Sequence, residues 1–121
     1  MKFSKLTFGD ATMEATPSER GEIFAGNLAD ERHRGSVTVG YGRWGANSIL
    51  EQVMAVDDIM IVLSGRLSVS SGSETFEITP SEIAYMPKGQ RVMIRAHEQE
   101  TITAYVTFPH WRQAERLPHL G

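Results

Sequence analysis

The sequence predicts an all-β protein, a sandwich or small barrel of short strands. Apolar and polar residues alternate along several short runs, which is the two-residue period of a strand with one buried face. Turn signals separate these runs at regular intervals, among them Ser71-Gly72 and Pro87-Lys88-Gly89. No stretch shows a sustained helical period, so the fold class rests on strands and turns.

Eight strand-like runs make up a predicted barrel over residues 35–112. In the first run, Tyr41 and Arg43 share one face and Trp44 lies on the other, and the pattern does not decide which face is buried. An N-terminal arm, residues 1–34, is expected to pack on the barrel with one or two short strands. A C-terminal tail, residues 113–121, follows the barrel, and a helical turn or two is expected over residues 110–118, where Pro118 stops it. The predicted strands are residues 36–44, 48–55, 59–63, 66–71, 74–78, 82–86, 91–96 and 101–108.

The composition indicates a soluble, cytoplasmic, globular protein. The chain of 121 residues is long enough for one domain with a hydrophobic core, and its content is 40% hydrophobic and 22% charged. A net charge of −3 without a basic cluster gives no reason to expect nucleic acid or an anionic membrane as a partner. No run approaches the ~18 apolar residues of a membrane span, and the N-terminus lacks the apolar stretch of a signal peptide. The absence of cysteine excludes disulfides and thiolate chemistry.

Two motifs in the strand region carry a resemblance to a known superfamily. Asp58 precedes the apolar strand "IMIVLS" and Gly65, and residues 81–89, "SEIAYMPKG", lead through a strand to a Pro-x-Gly turn. In this order they resemble the first and second motifs of the cupin superfamily, with Ser81-Glu82 in place of a Gly-Asp pair. The resemblance implies a small single-domain cupin, a β-barrel of jelly-roll type.

Three longer segments narrow the resemblance to one family. They are "DDIMIVLSGRLSV", "EIAYMPKGQRV" and "TAYVTFPHW", and they look like the cupin domain of the ethanolamine-utilisation Q protein, the EutQ-like family. The likeness covers roughly residues 37–112 and implies an accessory role in ethanolamine or related aldehyde metabolism. The phosphotransfer activity of that family is not expected here, because the sequence has no glycine-rich phosphate loop of the Walker type.

The resemblance also locates the positions where a metal-binding cupin keeps its ligands. Those positions, two histidines and a glutamate in the first motif and a histidine in the second, fall on Glu51, Val53, Asp58 and Val92. Valine cannot ligate a metal, so no cofactor is expected, and a divalent cation would have to use Glu51, Asp58 and His110 instead. The remaining histidines are expected at the surface or as caps: His33, His97 and His119.

Strand alternation predicts the walls of a small-molecule pocket inside the barrel. If Asp58 points inward, Met60 shares its face, and Glu51 lines the preceding strand unless a shift of one residue turns Gln52 inward instead. Asp57 is expected to hold a turn. An apolar pocket raises the pKa of a carboxyl group toward the range of a general acid or base, so Glu51 and Asp58 are candidate catalytic residues. Tyr85 is the third candidate, as a tyrosine that holds a carbonyl or carboxylate group of the substrate. The candidate substrate-binding residues are Tyr41, Arg43, Trp44, Met60, Tyr105 and His110.

Several functions fit these features. The first is a metal-independent or weakly metal-binding enzyme of isomerase or lyase type, using carboxylate acid–base chemistry on a small organic acid or carbonyl compound. The second is a module that binds or senses a small metabolite without turnover, or an accessory protein of ethanolamine-type metabolism. The third is a divalent-metal-dependent oxygenase or lyase, which Val53 and Val92 disfavour. A homodimer formed through the outer sheets is expected as the assembly.

Overall fold

The computed structural model describes residues 1–116 and contains two antiparallel β-sheets, as the strand pattern predicts. All eight predicted strands are present as β3 to β10, and two further strands precede them. One short helix, α1, closes the described chain. The elements are β1 Glu14–Thr16, β2 Ile23–Ala29, β3 Thr38–Trp44, β4 Ile49–Val53, β5 Asp57–Ser64, β6 Leu67–Ser71, β7 Glu74–Ile78, β8 Ile83–Met86, β9 Arg91–Ala96, β10 Thr101–Phe108 and α1 Trp111–Arg116.

The two sheets face each other around one apolar core. One sheet has six strands in the order β1-β2-β3-β10-β5-β8, and the other has four in the order β4-β9-β6-β7. Alternate residues of both sheets point into the space between them, including Met60 and Val62 from β5 and Val92 and Ile94 from β9. Because sequential strands repeatedly change sheet, the chain is a jelly-roll barrel, as predicted.

The N-terminal region, expected as an arm packed on the barrel, is part of one of its sheets. The two short strands expected there exist, but β1 and β2 extend the six-stranded sheet through the pairing of β2 with β3. Ahead of them, the chain crosses the outer face of β3, where Phe8 meets the Tyr41 ring edge-on at 5.7 Å. The Tyr41 hydroxyl donates to the carbonyl of Leu6 at 3.4 Å.

The structure decides which face of β3 is buried. Thr38, Gly40, Gly42 and Trp44 face the interior, and the intervening residues face outward. At its C-terminal end the chain forms the predicted helical turns as α1, whereas Pro118 and the rest of the tail lie outside the described residues. Within the described part of the chain, no helix is long and apolar enough to cross a membrane.

Candidate ligand pocket

A cavity of about 280 Å³ lies between the two sheets. This volume is just below the usual range for ligand sites, which begins at about 300 Å³. Strands of both sheets, the segment after β4 and the start of α1 all contribute to its wall. Its lining is mainly apolar, and none of the lining residues is Lys, Arg or His: Thr16, Ile23, Ala25, Gly42, Trp44, Leu50, Gln52, Val53, Met54, Ala55, Val56, Asp58, Met60, Met86, Ile94, Thr103, Tyr105, Thr107 and Trp111.

Asp58 is the one ionisable carboxyl group in this lining. It lies on β5 between Met86 of β8 and Thr107 of β10, its cross-strand neighbours. Its Oδ1 atom is buried and has no hydrogen-bond partner among the described residues. Burial away from water raises the pKa of this carboxyl group to about 7, because ionisation there is not compensated by a nearby cation. Near neutral pH, both protonation states are therefore populated.

The neighbouring acid, Asp57, has a different role. Its Oδ1 atom accepts a hydrogen bond of 2.9 Å from the backbone N–H of Lys88, in the Pro-x-Gly turn of the second motif. This agrees with the expectation that Asp57 holds a turn. Since strand side chains alternate, the two adjacent acids face opposite ways, one toward a turn and one toward the cavity.

A hydrogen-bonded network fixes Tyr105 in the wall. The Tyr105 hydroxyl donates to Oδ1 of Asn27, and the same oxygen accepts from Trp111 Nε1 at 3.0 Å. On the other side, Asn27 Nδ2 donates to Asp30 at 3.3 Å. A Cβ atom on Gly40 would lie 2.5 Å from the Tyr105 hydroxyl oxygen, so only glycine at that position leaves room for the tyrosine.

Two threonines flank Tyr105 on the same face of β10. Thr103 Oγ1 accepts a hydrogen bond of 3.2 Å from Trp44 Nε1. Thr107 Oγ1 donates to the carbonyl of Pro109 at 3.2 Å. The cavity thus has a polar stripe along β10, faces Asp58 on β5 and has mainly apolar walls elsewhere, which is the usual construction of a small-molecule site.

The expected inward position of Glu51 is wrong. In the register of β4 with β9, Glu51 lies opposite the exposed Met93, while Gln52 pairs with the buried Val92 and lines the cavity. The Glu51 carboxylate lies on the outer face, 3.5 Å from Arg91. The physical reason is the two-residue period of a strand: a register that differs by one residue exchanges the two faces.

Three further candidate residues also lie outside the cavity. Tyr85 is 62% exposed on the outer face of β8, so its placement among the catalytic groups is wrong. Tyr41 is on the outer face of β3 under the N-terminal segment, and Arg43 forms a surface ion pair with Glu100 at 2.7 Å. Of the proposed pocket residues, the cavity lining contains Asp58, Trp44, Met60 and Tyr105.

His110 is buried, and both of its ring nitrogens already have hydrogen-bond partners. Its Nδ1 lies 2.8 Å from Thr38 Oγ1, and its Nε2 lies 2.7 Å from the carbonyl oxygen of Gly35. Neither ring nitrogen is free, and His110 is not part of the cavity lining, so its assignment to substrate binding is not supported by its position. His33 and His97 are bonded at the surface to Asp30 and Ser68, and His119 lies outside the described residues.

The metal-ligating side chains in the cavity do not fit the divalent cation of a metal-binding cupin. Of the three ligands considered, only Asp58 lines the cavity, and Val53 and Val92 occupy two of the usual histidine positions. Among the described side chains, those of residues 1–114, no three His, Asp or Glu groups come together as a metal site would require. A first-row cation needs more nitrogen or oxygen ligands than one carboxylate provides.

Comparison with solved structures identifies the class. A cupin-2 domain from Rhodospirillum rubrum superposes with a TM-score of 0.70 at 13% identity, over 87% of this chain and 74% of that one. A Salmonella typhimurium protein assigned as ethanolamine utilization protein Q gives a TM-score of 0.71 at 18% identity, over 83% and 96%. These likenesses show that the chain has the cupin fold, the fold that the order of its two motifs predicts.

A more similar structure defines the family within that class. A protein of unknown function from Rhizobium leguminosarum bv. viciae is 46% identical, and the match covers 91% of this chain and 100% of that one, with a TM-score of 0.76. The chain belongs to the same family as this Rhizobium protein. No family model and no curated protein match the sequence.

Several residues in or beside the pocket were not predicted from sequence. Thr103 and Thr107 share the face of Tyr105, so the alternation along β10 was the signal that pointed to them. Trp111 follows the strand and faces the cavity from the start of α1. Asn27 lies in the N-terminal region, outside every motif, and nothing in the sequence indicated its contact with Tyr105 across 78 residues.

Proposed function

We propose that the protein is a metal-independent cupin enzyme of isomerase or lyase type, in which Asp58 moves a proton on a small carbonyl compound. The observation that carries the proposal is the Asp58 carboxyl group, which is buried without a partner in an apolar cavity and has its pKa raised to about 7. A pKa near the working pH is the property that general acid–base catalysis requires. Strongly shifted groups in clefts are also common at functional sites.

The chemistry follows from the two protonation states of Asp58. As a carboxylate, Asp58 takes a proton from the carbon next to a carbonyl group and becomes the neutral acid, while the electron pair moves onto the carbonyl oxygen. The electron pair then returns from the oxygen. In an isomerase the pair forms a bond between a second carbon and the proton of the acid, and in a lyase the pair expels the oxygen on the next carbon, whose C–O bond breaks and which takes the proton. Either step regenerates the Asp58 carboxylate. The Thr103 hydroxyl, whose oxygen accepts from Trp44, keeps its own proton for a developing oxyanion.

The lining favours a carbonyl compound over an organic acid. A substrate carboxylate would face the Asp58 carboxyl group with no Lys, Arg or His in the wall to balance its charge. Arg43, the cation expected to hold such a group, lies on the surface against Glu100. The apolar wall of Trp44, Met60 and Met86 suits a mainly uncharged molecule and limits the access of water to the enolate.

Proton transfer at carbon is directly measurable. In D₂O near pH 7, the wild-type protein is expected to speed deuterium exchange at the α-carbon of small ketones, followed by proton NMR. Asp58→Asn should lower the protein-dependent rate about 10²-fold, because the amide cannot take up the proton. Asp57→Asn is the matched control, since this acid faces the turn at Lys88. Equal rates for the Asp58 and Asp57 variants across the ketone panel would overturn the proposal.

A non-catalytic binding module is the second candidate, and the preformed, mainly apolar cavity between the sheets is the observation that favours it. In this function the same walls hold a metabolite, and the likeness to EutQ suggests an accessory role in ethanolamine-type metabolism. Ligands that raise Tm but show no Asp58-dependent exchange would select this function over the enzyme.

The assembly we propose is a homodimer through the outer face of the six-stranded sheet. This face is apolar across three neighbouring strands, with Ile59, Ile61, Val106 and Ile83 side by side in the strand register. Light scattering should give twice the 13.5 kDa mass of one chain. Ile83→Glu should shift the mass toward the monomer, because it buries a charge in the interface.

Phe76→Glu provides the matched control for the dimer, because Phe76 is an equally exposed apolar residue on the four-stranded sheet. This variant should leave the mass unchanged. A wild-type mass of one chain at micromolar concentration, or loss of the dimer in the Phe76 variant alone, would contradict the assignment of the interface.

A further inference from the structure

The orientation of the Asn27 side-chain amide is determined by its neighbours. Indole nitrogen can only donate, so Trp111 Nε1 must face the amide oxygen, at 3.0 Å. The Asp30 carboxylate can only accept, so it must face the amide nitrogen, at 3.3 Å. Asp30 is fully buried and is held ionised by Arg32, which keeps the pKa of the Asp30 carboxyl well below its usual range.

This orientation fixes the direction of the Tyr105 hydrogen bond. Because Asn27 presents its oxygen, the Tyr105 hydroxyl must donate its single proton to Asn27. Burial raises the pKa of Tyr105, so the hydroxyl stays protonated. Tyr105 lines the cavity, and its hydroxyl oxygen, with its one proton used on Asn27, has only lone pairs left and can only accept a hydrogen bond from a ligand. The same holds for Thr107, whose proton is donated to the carbonyl of Pro109.

The donors of the cavity lie at other positions. Thr103 accepts from the donor-only indole of Trp44 and so retains its own proton for a ligand. Asp58 supplies a proton when it is neutral. In the strand register, Thr107 is directly opposite Asp58, and Tyr105 is its diagonal neighbour, so that donor and acceptor positions lie next to each other on one wall.

We infer that the ligand of this cavity is an uncharged hydroxycarbonyl compound. Its hydroxyl group donates to the Tyr105 oxygen, and its carbonyl oxygen accepts from Asp58 or Thr103. Asn27 is the positioning residue, since it sets the Tyr105 oxygen as an acceptor without lining the cavity itself. The inference rests on the proposed use of the cavity for a carbonyl compound and names the second group that this compound carries.

Binding of matched aromatic probes tests the inference without any turnover. The probes are 3- and 4-hydroxyacetophenone, acetophenone, the two methoxyacetophenones and 4-hydroxybenzoate, with calorimetry at pH 6. At least one hydroxyacetophenone should bind about tenfold more tightly than acetophenone and its methoxy analogue, because only the hydroxyl can donate to Tyr105. The benzoate should bind more weakly than its ketone partner, because the cavity has no cation for the carboxylate.

Two variants assign the preference to Tyr105 and its partner. In Tyr105→Phe, the affinity ratio of hydroxyacetophenone to acetophenone should fall to within about twofold of unity, while acetophenone still binds. Asn27→Leu should lower the same affinity ratio, because the Tyr105 proton is then free to be donated to either ligand and the tyrosine no longer acts only as an acceptor. Tyr41→Phe is the control, because that hydroxyl faces Leu6 outside the cavity.

The outcomes separate this inference from the proposed function. Equal affinities for hydroxyacetophenone and acetophenone in the wild-type protein would overturn the hydroxycarbonyl assignment, and so would tighter binding of the benzoate. Neither result would affect Asp58-dependent deuterium exchange. Conversely, hydroxyl selectivity that depends on Tyr105, without any exchange, would remove the enzymatic function and leave the ligand assignment in place.

Discussion

Asp58→Asn is expected to make the protein more stable above pH 7, while it removes the proposed catalytic group. The buried carboxyl group must ionise without a partner when the pH exceeds its raised pKa of about 7. The neutral amide of asparagine has no such cost, although its own N–H groups remain unpaired in the cavity. At pH 8 we expect a gain of roughly 2 kcal/mol in the free energy of unfolding, which raises Tm by roughly 10 °C.

The sign of this pH dependence follows from proton linkage. The ordinary pKa of Asp is 3.8, which applies to the unfolded chain, and the folded value is about 7. Between these values the folded protein binds the proton and the unfolded chain does not, so stability falls as the pH rises from about 4 through 7. The full span corresponds to about 4 kcal/mol, and the loss is complete above the folded pKa.

Thermal or urea unfolding between pH 4 and 9 checks this prediction. The difference between Asp58→Asn and wild type should grow from near zero or negative at pH 4 to its maximum above pH 8. Asp57→Asn should not show this pattern, because that carboxylate accepts a hydrogen bond from Lys88 and its loss can only weaken the turn. An Asp58 variant less stable than wild type at every pH would show that the carboxylate has a stabilising partner.

The strands were predictable because they depend on local patterns. Alternation and turn residues are properties of neighbouring positions, and each of the eight predicted runs became a strand. The motif acid Asp58 was also predictable, since the glycine that ends β5 fixes its place in the strand. The acid and the glycine at Gly65, with φ of +83°, are elements of one hydrogen-bonded strand and its turn.

The pocket was only partly predictable, because the sequence does not determine which of two alternating sets of residues in a strand faces inward. Counting along the motif put Glu51 inside, and the observed register of β4 put Gln52 there instead. The same ambiguity on β3 left Tyr41 and Arg43 as candidates beside Trp44, of which only Trp44 faces the cavity. Contacts across many residues, such as that of Asn27 with Tyr105, have no local signal at all.

Asp30→Asn is expected to destabilise the protein strongly at neutral pH. Asp30 is fully buried and accepts hydrogen bonds from the Arg32 side chain at 2.8 and 2.9 Å, from the Arg32 backbone N–H at 3.1 Å and from Asn27 at 3.3 Å. Asparagine offers one acceptor oxygen in place of two and directs its own N–H groups at donors. The expected loss is roughly 3 kcal/mol in the free energy of unfolding, because charge-assisted bonds are replaced by facing donors.

The pH dependence of this contribution has the opposite sign to that of Asp58. Hydrogen bonds from Arg32 hold the pKa of Asp30 well below its usual range, so its stabilisation is present above about pH 4 and is lost as the pH falls below that value. Unfolding of Asp30→Asn at pH 7 and at pH 3 should therefore differ from wild type less at the acidic pH. The matched control is Asp10→Asn, which removes a carboxylate that caps a similar but exposed turn at Thr7 and should have a much smaller effect.

Together the two buried acids place the greatest stability at mildly acidic pH. Protonation of Asp30 lowers stability on the acidic side, and ionisation of Asp58 lowers it on the alkaline side. In a plot of unfolding free energy against pH, Asp30→Asn should therefore flatten only the acidic limb, and Asp58→Asn only the alkaline limb. Asp30 also holds the amide of Asn27, and through it the Tyr105 hydroxyl. Asp30→Asn should therefore weaken the preference of the cavity for hydroxyacetophenone at pH 6, where the variant remains folded. An unchanged preference in a folded Asp30 variant would show that Asn27 is oriented by Trp111 alone.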